Sequence, residues 1–161
     1  MTRGKWSLAG VPHRGWRCID AEDLGEERIK CEMCELQEIR YVHHMAHPKY
    51  PNVLEVGSSC AADMEEDVSA AKKREKTLAK RAVWGRGWKQ RLGGGLYKVF
   101  GGCVVEVYMR DQRWTVTILT AKETIQKEKE FHRAKDSFEA MVDAQLYAFD
   151  YIYPLKVEPY S

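Results

Sequence analysis

The chain has 161 residues, of which 44% are hydrophobic and 31% are charged, and its formal net charge is +2. This composition is that of a globular protein with one domain or two small ones, and it excludes a largely disordered chain. No apolar run approaches the roughly 18–20 residues that span a bilayer, and the first residues lack the apolar core of a signal peptide. We therefore expect no membrane segment and a cytoplasmic location.

Residues 1–30 are predicted to form an irregular N-terminal segment, because breakers recur along it: Gly4, Gly10, Pro12, Gly15 and Gly25. Strand-like runs follow at Ile39–Met45 and Val53–Val56. The prolines and the asparagine of the HPKYPN stretch between these runs predict a turn. A β-hairpin is therefore expected within residues 31–60.

A long helix is predicted over residues 59–84, with Ser58 or Ser59 as its N-cap. Acidic residues fill its first turns and basic residues its last turns, which suits the helix dipole. Its apolar stripe is narrow, so most of the helix should face water. Residues 31–84 are thus predicted to be one module, and the glycines that follow indicate a flexible basic linker over residues 85–95.

Residues 96–153 are predicted to form a second module. LYKVF and CVVEVYM flank Gly101-Gly102, a two-residue hairpin signal, and the next run, RWTVTIL, alternates apolar residues with threonines. Asp136 or Ser137 is expected to cap a last helix, which Pro154 ends before a tail of residues 154–161. The predicted core side of that helix is Phe138, Met141, Val142, Gln145, Phe149 and Ile152.

The predicted fold class is α+β: a treble-clef-like zinc hairpin with a long basic helix, then a small antiparallel sheet packed by one C-terminal helix. The zinc site is inferred from Cys31 and Cys34, whose Cys-x-x-Cys spacing lets two thiolates approach one ion from a tight turn. Cys60 lies at the start of the predicted helix, just after a strand and the turn residue Gly57. The positive end of the helix dipole favours the thiolate form of Cys60. We therefore expect one structural Zn²⁺ per chain, since the βαβ pattern of a thioredoxin-like redox motif is missing.

The fourth ligand is expected from the RYVHHMAHP stretch. On an extended strand His43 and His47 share one face while His44 points the other way, so His43 ranks first and His47 second. The alternative is that these histidines are ordinary surface residues of a strand. Thiolate-rich sites are mainly structural, and the sequence pairs no nucleophile with a base, so we predict that the protein is not an enzyme.

These motifs resemble those of a group of small zinc-finger-like proteins of bacteria, phages and plasmids. The shared pattern reads Cys-x-x-Cys, Arg-Tyr-Val-His, His-Pro and Val-Gly-x-x-Cys-Ala, present here as CEMC, RYVHHMAHP and VGSSCA. In that pattern the positions of His43 and His47 are histidine, whereas that of His44 varies. The resemblance implies a zinc site and an origin in a mobile element, and it implies no activity.

A basic segment covers residues 72–91. It contains nine basic residues and one acidic residue, Glu75. Cations interleaved with tryptophans near a glycine-rich junction suit phosphate contact and base stacking. The predicted nucleic-acid-binding residues are Lys72, Lys73, Arg74, Lys76, Lys80, Arg81, Trp84, Arg86, Trp88, Lys89 and Arg91. The alternative is a solvated helix end, with the two tryptophans packed between the modules.

Two functions follow from these features. The first is a zinc-stabilised nucleic-acid-binding accessory protein of a phage or other mobile element, which would place it in the host cytoplasm. The second is a protein-binding inhibitor or adaptor, of an anti-defence type, that docks on a host protein complex. The second is suggested by residues 20–40, where eight acids outnumber three basic residues, because oppositely charged surfaces serve electrostatic docking on a protein.

Overall fold

The computed structural model describes residues 4–100, 102–120, 125–131 and 137–158. The chain divides into two compact units: unit 1 is Met1–Ala82 with Leu155–Ser161, and unit 2 is Val83–Pro154. Helices and antiparallel sheets occur together, which confirms the α+β class. Within the described ranges no helix is both long and apolar enough to cross a membrane.

Unit 1 has a three-stranded antiparallel sheet in the order β1-β4-β5, a two-stranded ribbon of β2 and β3, and two helices. In chain order these are β1 (Arg17–Asp23), β2 (Ile29–Lys30), β3 (Glu38–Ile39), β4 (Tyr41–His47), β5 (Tyr50–Val56), α1 (Ser58–Glu65) and α2 (Val68–Ala82). The predicted hairpin is confirmed as β4 and β5. The segment expected to be irregular contributes β1, because a register shift between Cys18 and Asp20 hides its alternation.

The long helix predicted over residues 59–84 is two helices. Glu66 ends α1 in the left-handed region, with a φ of 57°. The Asp67 carboxylate then accepts hydrogen bonds from the backbone N–H groups of Ser69 and Ala70, both at 3.1 Å. Asp67 is therefore a helix cap rather than part of a first turn, and these bonds lower its pKa. At the start of α1 the N-cap is Gly57, with no side-chain cap from either serine.

The core of unit 1 packs both helices against the sheet. Val42, Met45 and Val56 from the strands and Ala61 and Met64 from α1 are fully buried. Residues after Pro154 return to this unit: Val157 packs on its core, and the Glu158 N–H donates to the Cys18 carbonyl at 2.8 Å. The expected C-terminal tail is thus a structural part of unit 1 as far as residue 158.

Unit 2 is a five-stranded antiparallel sheet in the order β10-β9-β8-β7-β6, with one helix on it. Its elements are β6 (Lys89–Gln90), β7 (Leu96–Phe100), β8 (Cys103–Arg110), β9 (Arg113–Thr120), β10 (Ile125–Glu130) and α3 (Ser137–Ile152). The three predicted strands are confirmed, and β6 and β10 extend them. The predicted turn residue Gly101 and the predicted cap Asp136 lie outside the described residues.

The packed face of α3 agrees in part with the predicted one, because Gln145 and Phe149 are buried and Met141 and Ile152 pack against the core. Its fully or nearly buried residues are Ala140, Ala144, Gln145, Ala148 and Phe149, whereas Phe138 is 67% exposed. The alanines let the helix lie close on the valines and isoleucine of β8 and β9. The predicted stripe therefore misses the alanines and wrongly includes Phe138, because close approach of a helix to a sheet selects small side chains.

The other face of this sheet is polar. Thr115 and Thr117 are buried there, and the Tyr108 hydroxyl hydrogen-bonds the Thr117 hydroxyl at 2.9 Å. Arg110 donates to both Glu128 and Glu130 at 2.6 Å across β8 and β10. These bonds explain why a polar stretch without predicted structure joins the sheet as β10.

Trp84 is a core residue of unit 2. Its side chain is 3% exposed, and its ring packs against Phe100 and Phe149 at centroid distances of 5.1 and 5.2 Å. The indole N–H donates to the Gln145 carbonyl at 2.7 Å. The expectation that Trp84 stacks on a nucleic-acid base therefore does not hold, because both the ring and its polar atom are used inside the unit.

Replacing Trp84 by alanine should destabilise unit 2 by about 3–5 kcal/mol, the usual cost of emptying a large aromatic site in a core. The measurement is urea denaturation followed by circular dichroism. Lys89→Ala, at an exposed position of the same unit, is the control and should shift stability by less than about 0.5 kcal/mol. Equal stability of the two variants would contradict the buried position of Trp84.

Candidate metal centre

Cys31, Cys34 and Cys60 lie together in unit 1, with their three Sγ atoms all within 4.8 Å of one another. Tetrahedral coordination with metal–sulfur bonds of about 2.3 Å would put two sulfurs about 3.8 Å apart. The cluster therefore fits a small thiophilic cation with little rearrangement. Cys31 and Cys60 are buried, and Cys34 is half-buried.

The backbone around Cys31 and Cys34 is a tight turn between β2 and β3. The Cys31 N–H donates to the Gln37 carbonyl and the Glu35 N–H donates to the Cys31 carbonyl, both at 2.8 Å. Glu35 takes a φ of 59° to close this turn. These bonds make the Cys-x-x-Cys pair a preformed knuckle, which is the geometry that its spacing predicted.

Glu32 joins the knuckle to β5. Its backbone N–H donates to the Glu55 carbonyl at 2.9 Å, and its carboxylate accepts from the Glu55 N–H at 2.7 Å. After β5 the chain turns at Gly57, where an added Cβ would lie 2.8 Å from the Ile39 side chain. This close passage sets the first turn of α1, and with it Cys60, beside the knuckle.

Hydrogen bonds to sulfur set the charge of the cluster. The Cys60 thiol, and then the backbone N–H groups of Cys34, Gly57 and Met33, lower the pKa of the Cys31 thiol, although burial raises it. The same thiol–thiolate bond and burial raise the pKa of Cys60. These bonds favour the thiolate form of Cys31, and cation binding would displace protons from the thiols of the cluster.

The structure does not place His43 or His47 with the three cysteines. His43 is fully buried, and its Nδ1 accepts from the Arg74 Nε–H at 3.1 Å while its Nε2 lies 3.3 Å from a Glu75 carboxylate oxygen. His47 Nε2 donates to the Arg14 carbonyl at 3.0 Å. Among the described residues the three-sulfur group contains no histidine. The two rings meet different partners, and the register of β4 against β5 shifts between Met45 and His47, which interrupts the alternation on which the ranking relied.

His44 lies on the other side of β4, as expected. Its two ring nitrogens face carboxylates on the neighbouring strands, Glu22 at 3.1 Å and Glu55 at 3.8 Å. Glu22 and Glu55 are partly exposed. The ring thus belongs to a cross-strand charge cluster at the surface of unit 1.

Arg74 is not a surface cation. Its side chain is 3% exposed, and its guanidinium donates to Glu65 at 2.6 Å as well as to His43. Because a guanidinium is always a donor, His43 Nδ1 must be the acceptor, which leaves the ring proton on Nε2 for Glu75. The expectation that Arg74 contacts phosphate does not hold, because Arg74 joins α1, α2 and β4 in one buried network.

Four lysines of α2 are exposed together. At about 100° per residue, these four fall within an arc of about 100° on the helix, opposite the buried side. They are Lys72, Lys73, Lys76 and Lys80, and we call them the lysine face. The buried side consists of Ala71, Arg74 and Leu78.

The remaining predicted contacts differ in exposure. Arg81 and Trp88 are half-buried, and the Trp88 N–H donates to the Trp84 carbonyl at 2.7 Å. Arg86 and Lys89 are exposed in unit 2, and the exposed Arg91 pairs with Glu106. Of the predicted contacts, the four lysines of the lysine face are thus the exposed cations that lie together on one helix.

Sequence reasoning missed the N-terminal contribution to the cysteine cluster. Trp6 lies in the segment expected to be irregular, yet its indole N–H donates to Cys60 Sγ at 3.4 Å. A single tryptophan among glycines gives no spacing signal, so only the fold brings it to the cluster.

Comparison with protein-family models, with curated proteins and with solved structures finds no match to this chain. The resemblance to zinc-finger-like proteins of bacteria, phages and plasmids stays a prediction. The cysteine cluster and the lysine face are thus the features from which function is inferred.

Replacing Arg74 by alanine should destabilise unit 1 by about 3–5 kcal/mol, because Glu65 would be left buried without its partner. The measurement is the free energy of unfolding in urea. Lys73→Ala removes a neighbouring exposed cation and should change that free energy by less than about 0.5 kcal/mol. An Arg74 variant as stable as the Lys73 variant would show that the buried network contributes nothing.

Proposed function

We propose that this protein is a zinc-stabilised nucleic-acid-binding protein without catalytic activity. The observation that carries the proposal is the lysine face, four exposed cations on one side of a helix whose opposite side is anchored in unit 1. The metal centre holds the hairpin and α1, against which α2 packs. The function is thus a rigid module that presents positive charge.

Zinc is the metal that best suits the centre. Thiolate ligands favour soft or borderline cations over Mg²⁺ or Ca²⁺, and zinc sites rich in cysteine are mainly structural. The knuckle, the hairpin and the cysteine in the first turn of a helix form a treble-clef-like arrangement. In a unit with a small core, such an ion supplies folding free energy that apolar burial does not.

The lysine face suits contact with phosphates rather than reading of bases. Lys72 to Lys80 span about 12 Å along the helix axis, a length over which a nucleic-acid backbone presents several phosphates. Flexible ammonium groups bind these as point charges without the fixed fork of arginine. We therefore expect binding that tolerates changes of sequence and weakens steeply with salt. In unit 2, Arg86 and Lys89 are further exposed candidates.

The second candidate is a protein-binding inhibitor or adaptor. The observation that favours it is the acidic surface of unit 1, where Glu22, Glu26, Glu27, Glu35 and Glu38 are exposed. Such a surface can steer docking onto a basic protein. The proposed origin in a phage or other mobile element rests on the sequence resemblance alone.

Elemental analysis of the purified protein should find about one zinc per chain, the stoichiometry of a single tetrahedral site. Cys34→Ser should lose it, because one of the three sulfurs is removed. His47→Ala should keep it, since that ring bonds the Arg14 carbonyl instead. Cys103→Ser is the control, because Cys103 lies in unit 2 outside the cluster. Zinc retained by the Cys34 variant would refute the proposed centre.

Neutralising the lysine face should lower the affinity for nucleic acid and reduce the dependence of that affinity on salt. We expect the variant with Lys72, Lys73, Lys76 and Lys80 all changed to Gln to lower the slope of log K against log salt by about 3–4 on duplex DNA, since each phosphate contact contributes about 0.9. The measurement is fluorescence anisotropy with a labelled duplex and a labelled single strand from about 50 mM salt upward.

The matched control carries the same change of charge at exposed lysines elsewhere: Lys30, Lys49, Lys127 and Lys129. Its affinity and salt slope should stay near those of the unmodified protein. Equal loss in both variants would show that net charge, rather than the lysine face, governs binding. No binding to either nucleic acid at about 50 mM salt would leave the protein-binding candidate, which a pull-down from nuclease-treated lysate would then address.

A further inference from the structure

The segment Gly4–Ser7, a short 3-10 turn, lies directly on the cysteine knuckle. A Cβ added to Gly4 would be 2.7 Å from the backbone carbonyl atoms of Cys34, and Gly4 itself takes a φ of 63°. The next N–H, that of Lys5, donates to the Met33 carbonyl at 2.7 Å. The backbone of the segment is therefore in direct contact with the backbone of the knuckle.

Side chains strengthen this contact. Lys5 Nζ donates to the Glu32 carbonyl at 3.1 Å and to the Glu35 carboxylate at 3.3 Å. The Trp6 ring packs edge-on against His13, with centroids 5.3 Å apart. Its N–H is thereby held toward Cys60 Sγ at 3.4 Å. Gly4 and Lys5 thus contact the turn that bears Cys31 and Cys34, and Trp6 contacts Cys60.

The acceptor of the Trp6 bond is informative. A neutral thiol sulfur is a weak acceptor, whereas a metal-bound thiolate is negatively charged and binds an N–H more strongly. An indole N–H aimed at sulfur therefore gains most when the cluster holds an ion. Binding of the ion and closure of the segment would strengthen each other, because such coupling is reciprocal.

We propose that Gly4–Ser7 is a closing element of the metal centre, which we call the N-terminal clamp, and that Trp6 is its positioning residue. The clamp slows release of the bound ion, and its opening is the step by which the ion is gained or lost. This inference rests on the proposed zinc site. Beyond that site, we infer that the rate of metal exchange is controlled by a segment that contains none of the three cysteines.

The test measures release of Co²⁺, bound in place of zinc, to an excess of chelator. Trp6→Phe keeps an aromatic ring and removes the N–H, so release should be about 10–100-fold faster, because losing such a partner of a metal ligand usually lowers metal affinity by that factor. Its sulfur-to-cobalt charge-transfer bands should move to lower energy, because sulfur without the N–H is a better electron donor. Trp16→Phe is the matched control, since it removes an indole N–H that bonds the Pro12 carbonyl in the same unit.

A second pair of variants tests closure without changing Trp6. Gly4→Ala should speed release, because the new methyl group collides with the knuckle backbone. Gly10→Ala places the same strain on a residue with a φ of 86° but meets no atom within 4 Å, so release should stay as in the unmodified protein. This pair separates closure of the clamp from backbone strain in the segment.

The results distinguish the clamp from the site. Release and charge-transfer bands unchanged in Trp6→Phe would overturn the clamp while leaving the metal centre in place. Faster release with unmoved bands would overturn the role of the N–H on sulfur. Equal acceleration in Gly4→Ala and Gly10→Ala would overturn closure by the segment. Failure of the unmodified protein to bind Co²⁺ would overturn the proposed metal centre as well.

Discussion

Burial of the Arg74 guanidinium sets how α2 lies on unit 1. A charge placed at 3% exposure is tolerated only when it is paired, and Arg74 reaches Glu65 on α1 and His43 on β4. Two helices and the central strand are thereby fixed around one cation. Because Arg74 holds one side of α2 against the unit, the opposite side of the helix is exposed. The direction of the lysine face is therefore set by a buried arginine.

The candidate metal centre depends on a second constraint, the gathering of three sulfurs from two parts of the chain. The knuckle is shaped by its own backbone bonds, while Glu32 and Gly57 bring the start of α1 beside it. N–H groups surround the sulfurs from the knuckle, from Gly57 and from Trp6. Such donors stabilise negative sulfur, which is the form that binds a cation. Groups other than the three cysteines therefore favour the form of the cluster that could hold an ion.

Unit 2 shows a different solution to the packing of one helix on a sheet. Small residues of α3 meet branched residues of β8 and β9, and Trp84 fills the space beside Phe100 and Phe149. The opposite face holds buried threonines under Tyr108 and the ion pairs of Arg110. Arg91, Arg110 and Arg113 are paired with glutamates of the unit, so the proposed function rests on the lysine face.

Local patterns in the sequence determined the α+β class, the β4–β5 hairpin, three strands of unit 2 and the three cysteines of the centre. Each of these depends on spacing along the chain or on alternation within one element. Tertiary structure alone decided the positions of Arg74, Trp84 and His43, because a long polar or aromatic side chain is buried or exposed according to which distant partner it meets. Tertiary structure also decided three further features: the helix break at Glu66, the strand β1 and the Trp6 bond to Cys60. A buried cation is indistinguishable from a solvated one in sequence, since only the approach of Glu65 and His43 compensates its lost hydration.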